Sequence, residues 1–322
     1  MLTSISIVRS IIVAVAIMAA LSPGKAYAQL KGHYIPGFTG MQNGSQGPPS
    51  VTVVLPIFFY TTDTLKNDDG ETLGAHPSIN SSFIGSGLVW VTNTKVFGGH
   101  LGGQILPVAV TKARIEGLSL DVPGSFNFSD IYVQPFQLGW ERSRADFVAG
   151  WGLFMPTGKW ALGGDDNGGL GMWSHDFQAG TTVRLDNRRA WTASALATYE
   201  LHSKKRNVDL KAGNILTVEG GLGRSFYAKV DGTPLPRITS VGVVYYGQFK
   251  VTGDVASVPT PLIGGKKDHV FGIGAEASVF FPSPRLLLGV RAVPEFGAVS
   301  RTQGLTLMVT LGYQARLLTK TP

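Results

Sequence analysis

Beyond residue 50, apolar and polar side chains alternate with a period of two along nearly the whole chain. In 304–313, Leu305, Leu307, Val309, Leu311 and Tyr313 share one face, with Thr306, Met308, Thr310 and Gly312 on the other. In 173–185, Trp173, His175, Phe177, Ala179 and Val183 oppose Ser174, Asp176, Gln178, Thr182 and Arg184, and 190–201 repeats the pattern. Residues two apart on a strand point the same way, so this period predicts strands. No window carries a sustained amphipathic helix with caps. The predicted strands are 51–60, 82–94, 99–110, 128–140, 144–155, 172–185, 189–201, 213–227, 237–251, 268–281, 285–297 and 302–313.

The connections alternate in length. Short turns fall at Glu141-Arg142-Ser143, Asp186-Asn187-Arg188 and Pro282-Ser283-Pro284. Longer Gly- and charge-rich loops fall at 61–81, 111–127, 156–171, 202–212 and 252–267. Tight turns on one side and long loops on the other, on an even number of strands, describe an outer-membrane barrel. The expected fold class is therefore all-β: a single transmembrane antiparallel β-barrel of about twelve strands. A soluble sandwich also alternates, but its strands are usually about 5–6 residues long, half the length seen here.

The alternation assigns the two faces. The candidate lumen set is Asp130, Tyr132, Gln134, Phe136, Asp176, Gln178, Arg184, Glu200, Glu219, Tyr246, Lys250, Glu276, Arg291 and Glu295, which holds nearly all the strand charges. Opposite charges can pair there, whereas a lipid-facing Arg or Lys at mid-depth costs about 2–4 kcal/mol. Trp151, Trp173, Trp191, Tyr199, Phe249, Phe281 and Tyr313 fall on the lipid phase, several near strand ends, as an aromatic girdle requires. Composition agrees with a lipid-covered surface: charged residues make up only 15% of the chain, against roughly 25% in soluble domains.

Outside the barrel (51–313) lie three segments. Residues 1–28 read as a cleaved signal peptide, with Arg9, an apolar run from Ile11 to Leu21, the helix breaker Ser22-Pro23-Gly24 and a small-x-small site at Ala26-Tyr27-Ala28. Residues 29–50 are rich in glycine and proline and hold no strand; they are either a periplasmic tether or a lumen plug, with Tyr34, Pro36 and Phe38 the plug candidates. Residues 314–322 form a C-terminal tail.

Candidate chemistry is sparse. Cysteine is absent, which excludes disulfides, thiolate metal sites and cysteine nucleophiles. The six histidines, His33, His76, His100, His175, His202 and His269, are isolated in sequence, and no HExxH or GxSxG motif occurs, so no catalytic residue, metal or cofactor is assigned. Gly272-x-Gly274-x-x-Ala277 mimics a dinucleotide fingerprint but lies inside a strand with no helix after it. Lys204-Lys205-Arg206 sits on a long loop without interleaved aromatics, which argues for contact with anionic headgroups and against nucleic acid.

Several stretches resemble a known family: His33-Tyr34-Ile35-Pro36-Gly37, Asp130-Ile131-Tyr132-Val133-Gln134-Pro135 with Leu138-Gly139-Trp140, Pro156-Thr157-Gly158, Leu170-Gly171-Met172-Trp173-Ser174-His175, Leu216 to Gly223, and Glu295-Phe296-Gly297-Ala298 with Thr302-Gln303-Gly304. In order and nearly end to end, they resemble the outer-membrane family named for the meta-pathway of phenol degradation. The resemblance implies a Gram-negative outer-membrane barrel that passes small hydrophobic molecules in the manner of fatty-acid channels. It carries over no functional residues. The expected function is passive diffusion of small hydrophobic or aromatic solutes, with membrane lipid and the solute as partners. Two alternatives remain: an adhesive or structural barrel with a closed lumen, and a lipid-modifying outer-membrane enzyme.

Overall fold

A computed structural model describes residues 31–74, 78–116, 126–162, 164, 166–256 and 266–317. The expected signal peptide, 1–28, and the end of the expected tail, 318–322, lie outside these residues. The strands are β1 (Ser50–Leu65), β2 (Ser78–Val96), β3 (Gly99–Glu116), β4 (Asn127–Phe128), β5 (Ile131–Glu141), β6 (Ala145–Met155), β7 (Ser174–Arg184), β8 (Trp191–His202), β9 (Leu210–Lys211), β10 (Ile215–Ala228), β11 (Arg237–Lys250), β12 (Val255–Ala256), β13 (His269–Phe281), β14 (Leu286–Val299) and β15 (Thr302–Leu317). Each long strand pairs antiparallel with its sequence neighbour, and β1 pairs with both β2 and β15. That last pairing closes a twelve-stranded barrel and leaves no free sheet edge, the condition for a sheet in lipid. The short β4 extends the edge of β3, and β9 with β12 form a small ribbon between two loops.

The first three strands outrun their sequence assignments. Residues 61–65, 78–81 and 111–116 read as loop because they are rich in polar and charged side chains, with one large apolar residue in each (Leu65, Ile79 and Ile115), yet they pair in the ladder. A tilted strand crosses a bilayer in about 9–11 residues, so β1, β2 and β3, at 16, 19 and 18, project beyond it. At the opposite end β2 and β3 are joined by Phe97-Gly98, both at positive φ (50° and 78°), the geometry of a two-residue primed hairpin. The last strand runs to Leu317 rather than Tyr313, because Gln314, Arg316 and Leu317 pair with Thr52, Val51 and Ser50.

The inside-out distribution of side chains confirms a membrane-type barrel. Asp176, Ser174, Thr198, Glu200, Thr217 and Glu219 are buried, while Leu55, Phe59, Phe177, Val243, Ile273, Leu288, Val290, Leu307 and Leu311 are exposed on the outer wall. A contiguous apolar exterior of this kind suits lipid and not water.

Residues 31–49 carry no strand and run inside the barrel from one end to the other. His33 meets β8 and the start of β5 and β7 at the loop-bearing end; Gly37 and Thr39 meet β10 at mid-height; Ser45 and Gln46 meet β5 and β6 near the short turns.

Candidate functional site

The lumen is organised around the threaded segment. Glu219, on β10, is its central anchor: the buried carboxylate accepts hydrogen bonds from Tyr34 OH (2.8 Å), Gly37 N (2.6 Å), Thr39 N (3.0 Å) and Thr39 Oγ1. Four donors on one carboxylate compensate the desolvation of its charge. Three strands round the wall from β10, Arg291 of β14 pairs with Glu276 of β13 (2.6 Å) and also donates to the carbonyl of Gly37. Lower down, Ser194 donates to Met41 O (2.9 Å) and Ser45 donates to Asp146 (2.7 Å). Close approach is possible because β10 presents Gly221 there; a Cβ on it would lie 2.7 Å from the Met41 Cβ.

Two further networks brace the wall. Gln104 donates to Gln134 (2.8 Å), Gln134 to Gln178 (3.0 Å), and Gln178 and Tyr132 both to Asp176 (2.6 and 3.0 Å). Glu295 accepts from Tyr60 OH and Tyr246 OH (both 2.9 Å) and from Gly304 N (2.8 Å). At the loop-bearing end Lys250 pairs with Asp254 (2.9 Å) and Asp268 (3.2 Å); at the other, Arg184 holds Asp146 through both carboxylate oxygens (2.8 Å each). Asp130 accepts from Gly158 N and Leu170 N, tying both ends of the long 156–171 loop to the residue before β5.

On that loop end, burial pushes the Lys205 ammonium down to about 8, partly opposed by the charges of Asp130 and Asp254. Its amine donates to Leu170 O (2.6 Å) and lies over the Trp160 ring.

Of the candidate lumen residues, thirteen face inward and one does not. Phe136 is 45% exposed on the outer wall, against Trp151 with ring centroids 5.9 Å apart. The sequence reading carried a strict alternation through β5, but a bulge intervenes: Val133 pairs with Leu153 and Phe136 with Trp151, so two residues, Gln134 and Pro135, oppose Gly152 alone. Pro135 has no amide hydrogen for the ladder, and the extra residue inverts the phase, turning Gln137 inward to Gln46. The candidate girdle residues occupy the outer wall, Trp173 at the loop-bearing end and Trp191, Phe281 and Tyr313 at the other.

The sequence reading missed Thr39, Met41, Ser45, Gln46 and Met308 as lumen groups. Nothing in the local pattern of Thr39, Met41, Ser45 and Gln46 distinguishes them from a polar linker; Met308 shares the face of Thr306 and Thr310, but its apolar side chain does not mark a lumen group. It also missed the convergence of His33 with Asp130 and Ser174.

Asp130, His33 and Ser174 are aligned like a hydrolytic triad, but the roles are reversed: Asp130 bonds Nε2 and Ser174 bonds Nδ1. Ser174 is fully buried, and its Oγ also meets His202 Nδ1 (2.7 Å), so it presents no nucleophile to a substrate.

Between the segment and the β13–β14–β15–β1–β2 wall lies a cavity of about 320 Å³. Phe38, Met41, Val54, Pro56, Val89 and Met308 line it with Gln104, Glu276, Arg291 and Thr310.

The family described as "Putative MetA-pathway of phenol degradation" matches residues 62–311. The chain belongs to this family. Among solved structures, it is similar to the COG4313 outer membrane channel from Pseudomonas putida F1, with a TM-score of 0.69 at 15% identity over 87% of this chain and 99% of that one. It is also similar to the beta domain of the Bordetella autotransporter BrkA, with a TM-score of 0.50 at 12% identity over 82% and 99%. At such identities the likeness is one of fold, that of outer-membrane barrels. No curated protein matches the sequence.

Proposed function

We propose that this family member is an outer-membrane channel that passes small hydrophobic or aromatic solutes by diffusion, with residues 31–49 setting the width of the path. The carrying observation is the cavity beside the threaded segment. Its roughly 320 Å³ exceeds the approximately 150 Å³ apolar cavity known to accept benzene. Thioethers of Met41 and Met308 and the Phe38 ring offer soft, polarisable contact to an aromatic face. Gln104 and Glu276 lie within the same space to accept a hydroxyl proton. The Glu276–Arg291 pair neutralises the charge in the cavity, so neutral solutes meet no strong field.

The solute moves by differential affinity along the path and needs no catalytic group. That the P. putida barrel is an outer membrane channel supports this reading, as does the family's association with phenol degradation. Asp130, Glu200 and Glu219 position the segment, while Tyr132, Gln134, Asp176, Gln178, Tyr246 and Glu295 brace the wall around it. Arg184 and Lys250 act at the two rims, and the leader exports the chain to the outer membrane before cleavage. The outer aromatics Trp151, Trp173, Trp191, Tyr199, Phe281 and Tyr313 seat the barrel at the headgroups.

Uptake of a labelled monoaromatic at limiting concentration, in a deletion strain and its complemented partner, tests this. The deletion strain should take up the aromatic more slowly while a labelled sugar enters normally; equal aromatic uptake in both strains would contradict it.

A further inference from the structure

We infer that His33, Glu200 and His202 form a binding site for one divalent transition-metal ion of the zinc class, bridging the threaded segment to the barrel wall. The inference goes beyond solute passage and does not depend on what the barrel passes. One ligand-type atom from each residue lies within 4.8 Å of the others. All three side chains are buried: Glu200 is 1% and His202 4% exposed, and the His33 side chain 5%.

A single chain of hydrogen bonds assigns the protons. Asp130 Oδ2 lies 2.8 Å from His33 Nε2, which makes that nitrogen the donor. His33 Nδ1 then accepts from Ser174 Oγ (2.7 Å), and Ser174 Oγ accepts from His202 Nδ1 (2.7 Å). His202 Nε2 is left as a bare lone pair. It has no hydrogen-bond partner, and neither does Glu200 Oε2 or Asp176 Oδ1. In the β7–β8 ladder Asp176 stands directly opposite Glu200, and Ser174 opposite His202. Two buried carboxylates face each other, then, and neither forms an ion pair among the described residues. Like charges so placed repel. The neighbouring cation, Lys205, is committed to Leu170 O and the Trp160 ring. Buried lone pairs and excess negative charge on one patch are what a metal ion neutralises.

The donor set selects the ion. Two imidazoles and one carboxylate suit zinc and its neighbours, whereas calcium and magnesium prefer oxygen alone. Bonds of about 2.0–2.2 Å put tetrahedral donors about 3.3 Å apart, so donors that lie within 4.8 Å of one another need close by no more than about 1.5 Å. His33 would turn its Nδ1 from Ser174 to the ion while Asp130 keeps Nε2, the carboxylate–histidine–metal arrangement; Ser174 would keep the Nδ1 of His202 and aim its Nε2. Gly32 leaves room for this, since a Cβ there would crowd Glu200 Oε2 and Ile215 Cδ1. His33 and Glu200 are 167 positions apart, so the ion would clasp the segment at the loop-bearing end.

The test is calorimetric titration of Zn²⁺ into the untagged, chelator-stripped chain purified from outer membranes, with folding checked by heat-modifiable electrophoretic mobility. One ion should bind per chain, and the His202→Ala and Glu200→Gln variants should each weaken binding at least tenfold. His175→Ala, on the outer wall, should bind as the native chain does. Absorption of the Co²⁺-loaded protein should show the intense visible bands of a four-coordinate site, lost in His202→Ala. A folded native barrel that binds no more zinc than a folded His33→Ala/His202→Ala double variant would overturn the site and leave a proton shared by Asp176 and Glu200 as the compensating charge.

Discussion

Replacing Glu219 by alanine should unfasten the middle of the threaded segment. The carboxylate receives Tyr34 OH, Gly37 N and Thr39 N at 2.6–3.0 Å, besides the Thr39 hydroxyl. A hydrogen bond to a charged acceptor contributes about 1.5–3 kcal/mol, and water reaching the opened lumen would satisfy part of what is lost. Taking the lower figure for three of the donors gives about 4 kcal/mol in favour of the docked state. At about 1.4 kcal/mol per tenfold change, its loss shifts the docking equilibrium of residues 34–39 by close to a thousandfold. The ends should stay tethered through His33–Asp130 and Ser45–Asp146, so the barrel folds. Single-channel recording in planar bilayers reads the result: Glu219→Ala should give larger and noisier conductance than the native chain, and Glu219→Gln, which keeps one acceptor oxygen, an intermediate one. Native conductance in a folded Glu219→Ala barrel would refute the anchoring role, above all if deletion of residues 31–49 raised it.

Other outcomes follow from the same geometry. Phe136→Arg places a charge on the lipid face and should cost about 2–4 kcal/mol of folding stability in vesicles, while Gln137→Arg, one residue on, should cost much less; equal losses would contradict the bulge. Gly221→Val forces a side chain against Met41 and the backbone of β11, so it should lower stability by about 1–3 kcal/mol and widen the conductance. Lys205 is charged in both states below pH 8. Between its lowered value of about 8 and the ordinary lysine value of 10.5, the folded chain has shed a proton that the unfolded chain keeps. Urea stability should therefore rise across that window, and Lys205→Met should remove the rise.

Much of the barrel was legible because a strand's side-chain period is two, and a sheet between lipid and a polar interior keeps the two phases clean over a dozen residues. Ser174 to Arg184 and Trp191 to His202 show this best. The reading lost phase at Pro135, where one inserted residue swaps faces without any change in composition. Charge-rich stretches such as 111–116 read as loop because Ala113 and Ile115 alone are too weak an apolar signal to mark a strand that rises above the membrane. The lumen site was legible only in half. The wall charges stand out in apolar strands, but which of them the N-terminal segment meets depends on contacts such as Tyr34 to Glu219, 185 residues apart. The meeting of His33 with His202 has no local signature at all.

The most direct test of the account is flux of a labelled monoaromatic into proteoliposomes holding the purified chain, beside vesicles with the Glu219→Ala variant and empty vesicles. The account predicts faster entry than into empty vesicles, faster still with Glu219→Ala, and saturation by unlabelled aromatic but not by sugar. Entry no faster than into empty vesicles, with both barrels folded, would contradict it.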